Sequence, residues 1–324
     1  KINNRCVLFA SMPIKLFSLL VISSVLSSAA QALVIPITTW TKPAKDAQYS
    51  EWLNQAPPAY VWQNDPEILE IYGLTTKKSA NFCEPSAIGT ALYNQKLYRQ
   101  VAPSLQVAGV DLAGKRIDTV QTLKDLVKRC KSDPQSGTQV DNAYRCISDI
   151  YTESGYTKSE IKLISNDNFN YSIPYHFDGE TVIHPAIPYF VQDRRKPNLQ
   201  DIVDGVNAGY EVIVISTRIA VVNGAWKKVG GHWFNVSGYG IRSSGAGMDI
   251  FATDPTAYAK YGGSEATTFN GQHPLFYTVS ATPMTSDSNI VPDSYAPIRL
   301  RGLMIERLTP DVVLGSVLLL KAQR

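Results

Sequence analysis

Apolar residues recur with the spacing of an α-helix in three stretches of the first half of the chain. In residues 84–101 the apolar stripe consists of Ala87, Ile88, Ala91, Leu92 and Leu97. Residues 118–131 and 140–155 are also amphipathic, and the polar turn "KSDPQSGTQ" lies between them. These spacings predict three helices, the last two joined by a short loop.

The second half of the chain changes to the two-residue alternation that is typical of β-strands. A short helix from Leu199 leads into a β-branched run that starts at Glu211. Two further strands, "HWFNVSGYGI" and "MDIFATD", are joined by the turn "RSSGAG". This order, helices first and strands second, predicts an α+β fold in which a helical part packs against an antiparallel sheet.

The same patterns divide the chain into four segments. Residues 1–32 are predicted to be a signal peptide and residues 33–74, which lack a strong period, an N-terminal wrap or a propeptide. Residues 75–280 form the main domain, and residues 281–324 a C-terminal extension. The apolar run "VVLGSVLLL" in that extension is too short to cross a membrane, so it predicts a buried strand or helix turn.

The first segment has the three parts of a secretory leader. From Met12, the basic residue Lys15 is followed by an apolar run and the small-residue ending Ala30-Gln31-Ala32. The run is about 13 residues long, and a spanning helix needs about 20. We therefore expect cleavage after Ala32, a secreted or periplasmic protein, and no membrane span in the mature chain. Residues 1–11 precede the plausible initiator Met12.

Charge and motif content narrow the function classes. Removing residues 1–32 takes away three basic residues and no acidic one, which leaves 28 of each sign. A nucleic-acid-binding surface is therefore not indicated. The sequence has no Cys/His cluster with metal-ligand spacing and no glycine-rich phosphate loop after a strand. We therefore expect no cofactor and no metal.

Three cysteines follow Ala32, an odd number in a chain expected to meet an oxidising compartment. Cys130 ends one predicted helix and Cys146 lies in the next. Two antiparallel helices joined by a short loop would bring these two residues within bridging distance. We predict a Cys130–Cys146 disulfide, which leaves Cys83 as the remaining thiol.

Cys83 lies where a polar loop turns into a helix, in "KKSANFCEPSAIGTAL". Pro85 is favoured in the first helical turn, so Cys83 is predicted at the helix N-terminus. There the unpaired amides and the positive end of the dipole favour a thiolate, and the same amides can bind an oxyanion. A charged Glu84 would oppose the thiolate. The alternative is a small buried residue.

A thiol nucleophile needs a base, and one histidine differs from the others. Three histidines lie in loop-like contexts: His176, His184 and His273. His232 is predicted to open a strand directly after Gly230 and Gly231, on one face with Phe234 and Val236. Its fixed position is suited to activating a thiol; the alternative is a structural histidine.

The group that orients the imidazole is predicted from the hairpin. Asp254 follows the second strand in "FATDP", so the hairpin would return it to the side of His232. Asp249 is the rival carboxylate, but it starts that strand near the turn. Cys83, His232 and Asp254 are thus the candidate triad.

Four motifs in order resemble those of the papain-like cysteine peptidases: "NFCEPSAIGTALY", "NAGYEVIVIS", "GGHWFNVSGYG" and "FATDP". They are most similar to the branch that includes the bacteriocin-leader-processing peptidases and their stand-alone secreted relatives. The resemblance covers about residues 75–265. It implies a papain-like fold, cleavage of peptide or protein substrates, and a catalytic triad of Cys83, His232 and Asp254.

Two residues depart from the family pattern. Glu84 stands where the family has glycine, and residues 74–82 lack the glutamine that supplies a second oxyanion donor. Asn81 is the amide in that window, and Lys77 or Lys78 is another candidate donor. Two other functions therefore stay open: an acyltransferase or amidase with the same site, and a catalytically decayed binding module.

Overall fold

The structure is a computed structural model, and it describes a large part of the chain after the predicted leader. The described residues are 49–54, 61, 63, 66–74, 81–95, 97, 109–110, 116–117, 119–166, 175–177, 180–182, 187–245, 247–255, 276–284, 295–303 and 311–324. The predicted signal peptide, Lys77, Lys78, His184 and His273 lie outside them.

The helices confirm the amphipathic patterns and shorten one of them. The described helices are α1 (Pro66–Ile71), α2 (Cys83–Asn94), α3 (Thr119–Arg129), α4 (Val140–Glu153) and α5 (Leu199–Asn207). Helix α2 was expected to reach residue 101, but it ends at Asn94, where the Gln95 N–H closes the last turn on the Ala91 carbonyl. None of the described helices is long and apolar enough to cross a membrane.

The strands lie mainly in one large sheet. The described strands are β1 (Tyr49–Asn54), β2 (Gly109–Val110), β3 (Arg116–Ile117), β4 (Glu160–Ile164), β5 (Tyr175–Phe177), β6 (Glu180–Val182), β7 (Phe190–Asp193), β8 (Glu211–Val222), β9 (Ala225–Arg242), β10 (Met248–Thr253), β11 (Phe276–Pro283), β12 (Ile298–Arg301) and β13 (Asp311–Lys321). Helices and a multistranded sheet together confirm the α+β class. The sheet is mixed rather than purely antiparallel, because β4 and β7 pair in parallel.

Six strands of this sheet close into a barrel. The hydrogen-bonded path runs from β8 through β9, β10, β11, β12 and β13 and back to β8, and every step is antiparallel. Side chains alternate between the inside and outside of a barrel. The inside holds one apolar cluster, which includes Val214, Phe234 and Ile250, and α5 adds Ile202 to it.

A second apolar cluster lies on the outer face of the barrel and receives three helices. Ile213 on β8, Trp233 on β9 and Leu318 on β13 face it from the sheet. Helices α2, α3 and α4 cover them with apolar residues such as Ile88 and Ile147. These buried faces explain why the helical stripes in the sequence were strong.

Both ends of the described chain contribute to the sheet. Strand β1, at Tyr49–Asn54, pairs with the second half of β9. Strand β13 comes from the segment expected to be a C-terminal extension, and it lies between β8 and β4. The apolar run in that segment is therefore a buried strand, one of the two forms expected.

A disulfide joins the end of α3 to α4. Cys130 follows α3 directly and is bonded to Cys146 within α4, with their Cα atoms 5.0 Å apart. This confirms the predicted pairing, whose physical basis is the short loop between the two helices. A 16-residue separation closed by such a bond contributes about 3 kcal/mol of stability in the chain-entropy account.

Candidate functional site

The structure brings His232 and Asp254 together. Imidazole Nε2 lies 2.7 Å from carboxylate Oδ1, and the two side chains are 2% and 0% exposed. Pairing between β9 and β10 ends at Asn235 and Thr253, so both residues lie just beyond the last pair of this hairpin. A carboxylate that accepts from Nε2–H holds the tautomer in which Nδ1 is the basic ring nitrogen.

The sequence pattern predicted that His232 opens a strand, and this prediction is wrong. Strand β9 begins at Ala225, after a two-residue turn in which Asn223 and Gly224 have φ values of 54° and 77°. Two successive residues with positive φ form the turn that suits a twisted hairpin, and an Asn-Gly pair is its usual sequence. The hairpin therefore starts earlier, and His232 lies inside a long strand.

The glycines before His232 allow close packing of the neighbouring strand. A Cβ atom on Gly231 would lie 3.1 Å from the Ser216 carbonyl oxygen on β8. The Ser216 hydroxyl donates to the His232 carbonyl at 3.0 Å. Strand β8 thus fixes the backbone of His232 tightly.

The rival carboxylate, Asp249, has a different partner. It pairs across the sheet with Gly240 and accepts a hydrogen bond from the Arg242 guanidinium. Arg242 ends β9 at the turn, so this contact lies at the opposite end of the hairpin from His232. The hairpin geometry thus brings Asp254, rather than Asp249, to the imidazole.

Helix α2 begins at Cys83 and packs on β9. Cys83 is 1% exposed and belongs to the same apolar cluster as Trp233, the residue after His232. One turn into the helix, the Ala87 carbonyl accepts a 3.0 Å hydrogen bond from Asn235 Nδ2. The predicted nucleophile helix and the His232 strand are therefore direct neighbours.

Two rows of β9 side chains meet different parts of the molecule. Trp233 and Asn235 contact the α2 side, whereas Phe234 and Val236 belong to the barrel interior. The His232 ring lies 6.4 Å from the Phe234 ring, in a stacked arrangement. The expected sharing of one face by His232, Phe234 and Val236 is confirmed.

Cys83 is disulfide-bonded in the structure, and none of the described cysteines is free. Its bonding partner lies outside the described residues. The expectation of a leftover thiol applies to the chain cleaved after Ala32 and not to the full chain. It counted only the cysteines after Ala32, and the sequence holds a fourth, Cys6, before that position. For a chain cleaved after Ala32, the odd count still stands as a prediction.

Glu84, next to Cys83, is buried at 5% exposure. Desolvation raises the pKa of its carboxyl well above the usual range; Asp141 raises the pKa further, and Lys228 lowers it. Its Oε1 has no hydrogen-bond partner among the described residues. Burial thus outweighs the helix N-terminus, which would favour the carboxylate. The raised pKa weakens the opposition that a charged Glu84 was expected to offer to a Cys83 thiolate.

The structure gives Asn81, the candidate oxyanion donor, other partners. Its Nδ2 donates to the Gln135 carbonyl, and its backbone N–H donates to the Pro134 carbonyl at 3.0 Å. Both acceptors lie in the loop between α3 and α4. Asn81 therefore anchors that loop.

Gln63, which the sequence pattern did not indicate, contacts the residue that follows Asp254. Its backbone N–H donates to the Pro255 carbonyl at 3.3 Å, and its side chain is 1% exposed. The family pattern has its oxyanion donor a few residues before the cysteine, so it pointed to residues 74–82. Nothing in the local pattern around Gln63 indicated that it folds back beside Asp254.

Among the described residues, no group of three or more His, Cys, Asp or Glu side chains could hold a metal ion. Comparisons with models of protein families, with curated proteins and with solved structures found no match to this chain.

Proposed function

We propose that the protein is an exported cysteine peptidase of papain-like architecture, acting on peptide or protein substrates. The observation that carries this proposal is the buried His232–Asp254 pair at 2.7 Å, next to the helix that begins at Cys83. An isolated buried histidine would be explained by packing alone. Thiol activation requires a histidine that is held by a carboxylate and lies within reach of the thiol. Asp254 holds His232, and the strand that carries His232 packs on the helix that begins at Cys83.

In the proposed mechanism, Nδ1 of His232 removes the proton from the Cys83 thiol. The thiolate attacks the amide carbonyl carbon, and first-turn amides of α2 bind the resulting oxyanion. The imidazolium, stabilised by Asp254, then protonates the leaving amine as the C–N bond breaks. Water, activated by neutral His232, hydrolyses the thioester and restores the thiol.

This mechanism applies to the form in which the Cys83 disulfide is open. Signal cleavage after Ala32 would remove Cys6 from the chain and keep Cys83 with the Cys130–Cys146 pair. Of the three cysteines that remain, Cys130 and Cys146 are bonded to each other, so we expect one thiol, that of Cys83, in the exported protein. The intact mass tests the cleavage, and the thiol count tests the state of Cys83.

The test is a peptide-library digest under mild reduction, with the exported wild type beside Cys83→Ala. We expect cleavage by wild type alone. Asp254→Asn should also lose most activity, whereas Asp249→Asn, a change of the other hairpin carboxylate, should keep it. Equal cleavage by wild type and Cys83→Ala would end the peptidase proposal. Products that carry an added amine would instead indicate acyl transfer.

A second candidate function is a papain-like module that binds peptides without cleaving them. The observation in its favour is the disulfide at Cys83, which blocks a nucleophile for as long as it persists. Iodoacetamide distinguishes the two functions. Under mild reduction a peptidase should label at Cys83 faster than glutathione does, and a binding module should not.

A further inference from the structure

We infer that residues 61–74 are a retained positioning segment, which holds the Cys83 helix against the Asp254 end of the barrel, and are not a removable propeptide. This inference rests on the proposed function. It concerns the described part of the segment, Val61, Gln63 and residues 66–74. An inhibitory propeptide must leave its site without loss of the core, and three contacts of this segment are core contacts.

The first contact surrounds the residue before the nucleophile. Phe82 is 0% exposed and lies at the N-cap of α2. The Tyr72 ring meets it edge to face, with centroids 5.1 Å apart. Ile68 and Leu69 of α1 complete the same apolar cluster. The segment thus forms part of the wall that fixes the start of α2.

The second contact ties the segment to the middle of α2. The Val61 backbone N–H donates to the Thr90 hydroxyl at 2.9 Å, and both residues are buried. Beside it, a Cβ atom on Gly89 would lie 2.9 Å from Val61 Cγ2 and 2.8 Å from Leu126 Cδ1. Only glycine fits under Val61 without a shift, so the chain lies directly on the helix.

The third contact reaches the other half of the site. Two residues after Val61, the Gln63 N–H donates to the carbonyl of Pro255, which follows Asp254. Two backbone amides two positions apart therefore bridge the helix of Cys83 and the strand end that presents Asp254. Movement of α2 away from Asp254 would break at least one of these bonds.

Thr90 gives the sharpest single test. Thr90→Val keeps the shape and removes the acceptor for Val61, whereas Thr90→Ser keeps the hydroxyl. Thr122→Val is the matched control, because Thr122 is a buried threonine on α3 whose hydroxyl has no partner among the described residues. The measurements are kcat, KM and the pH profile on the best peptide from the digest.

We expect Thr90→Val to lower kcat about tenfold and shift the pH profile, with little change in KM, since a misplaced catalytic geometry lowers the rate of chemistry. Thr90→Ser and Thr122→Val should stay within about twofold of wild type. A folded Thr90→Val with wild-type kcat and pH profile would overturn the inference.

A second experiment tests the inference even if Thr90→Val fails to fold. A site-specific protease sequence is inserted between Leu74 and Asn81, and the folded chain is cut there. The N-terminal fragment should co-elute with the rest in size-exclusion chromatography, and stripping it with mild urea should abolish cleavage. Equal or higher activity after its removal would identify a propeptide. If the proposed function itself is wrong, the uncut chain lacks Cys83-dependent cleavage from the start.

Discussion

Two glutamate carboxyl groups lie near the two ends of helix α2, and they have different surroundings. Glu84 belongs to the helix and is buried, whereas Glu211 on β8 is partly buried. At the N-terminal end, Glu84 has Asp141 and Lys228 as its charged neighbours, and its Oε1 has no partner among the described residues. At the C-terminal end, Glu211 accepts a 2.9 Å hydrogen bond from Asn94 Nδ2. Burial raises the pKa of Glu211 to about 7, and the Asn94 bond lowers it.

Burial is the largest cause of the raised pKa at both carboxyl groups, and at Glu211 the hydrogen bond from Asn94 opposes it. Burial raises the pKa of Glu84 well above its usual range, although this residue lies at the helix end whose dipole favours a carboxylate. The main cause of this rise is desolvation without a donor for Oε1. Uncompensated burial of this kind tends to persist where function requires it. In this protein it lies beside the candidate nucleophile.

The largest expected difference between the two ends is in catalysis. His232→Ala removes the proposed base on the strand beside the α2 N-terminus, so kcat/KM should fall about 10³-fold or more. Asn94→Ala, at the other end of the helix, should leave kcat/KM within about twofold. Steady-state cleavage of one peptide by both variants measures this. Comparable losses in the two would mean that the site does not lie at the Cys83 end.

Glu84→Gln should give the larger of the two pH effects on stability. A carboxyl with a raised pKa in the folded state stabilises fully below its unfolded pKa, and this contribution is lost as pH rises through the folded pKa. The neutral amide cannot ionise, so the stability of Glu84→Gln should decline less between pH 4.5 and pH 8. Urea unfolding with the Cys130–Cys146 disulfide intact measures how the unfolding free energy of wild type and of Glu84→Gln changes with pH. A slope equal to that of wild type would place an ionised Glu84 in the folded protein.

Glu211→Gln should also reduce the decline of stability with rising pH, but by a smaller amount. Its pKa rises from the usual 4.5 to about 7, so its stabilising contribution is lost as pH rises across that window. Allowing for its partial exposure, the variant should remove about 2–3 kcal/mol of the decline in unfolding free energy. Activity should stay at the wild-type level. An unchanged decline would show that Glu211 titrates near its ordinary value.

The sequence predicted features whose causes are local. The stripes of α3 and α4, the Cys130–Cys146 bond and the hairpin that returns Asp254 to His232 all depend on short loops. Local patterns could not predict the barrel, because its closure requires β13 to pair with β8 and β12, from distant parts of the chain. Strand β1 was missed for the same reason, since its partner β9 lies far along the sequence.

At the candidate site, too, local features could be predicted from the sequence and long-range contacts could not. The residue types at Cys83, His232 and Asp254 and the placement of Cys83 at a helix start could be read from the pattern. The raised pKa of Glu84 could not, because it depends on burial and on Asp141 and Lys228, which come from α4 and β9. Nor could the role of Gln63, whose contact with Pro255 joins distant segments. Long-range packing sets the pKa values and the positioning contacts.

The smallest expected effect is that of Asn94→Ala on stability, a change that makes the surroundings of Glu211 resemble those of Glu84. Asn94→Ala removes the donor to Glu211, so this carboxyl becomes a buried group without its compensating bond, as Glu84 is. The pKa of Glu211 should rise above about 7. Stability should fall by about 1 kcal/mol above that pKa, where the carboxylate loses the bond, and by less at pH 5, where the group is protonated.

Unfolding free energies measured across pH 5–9 give the midpoint of this change. Gln95→Ala is the matched control, because Gln95 accepts its 3.0 Å bond from the Tyr151 hydroxyl and not from Glu211. It should lower stability at all pH values and leave the midpoint in place. If Asn94→Ala also lost the same amount of stability at all pH values, the Asn94 amide would support packing alone. Donor compensation would then not explain the difference between the two glutamates.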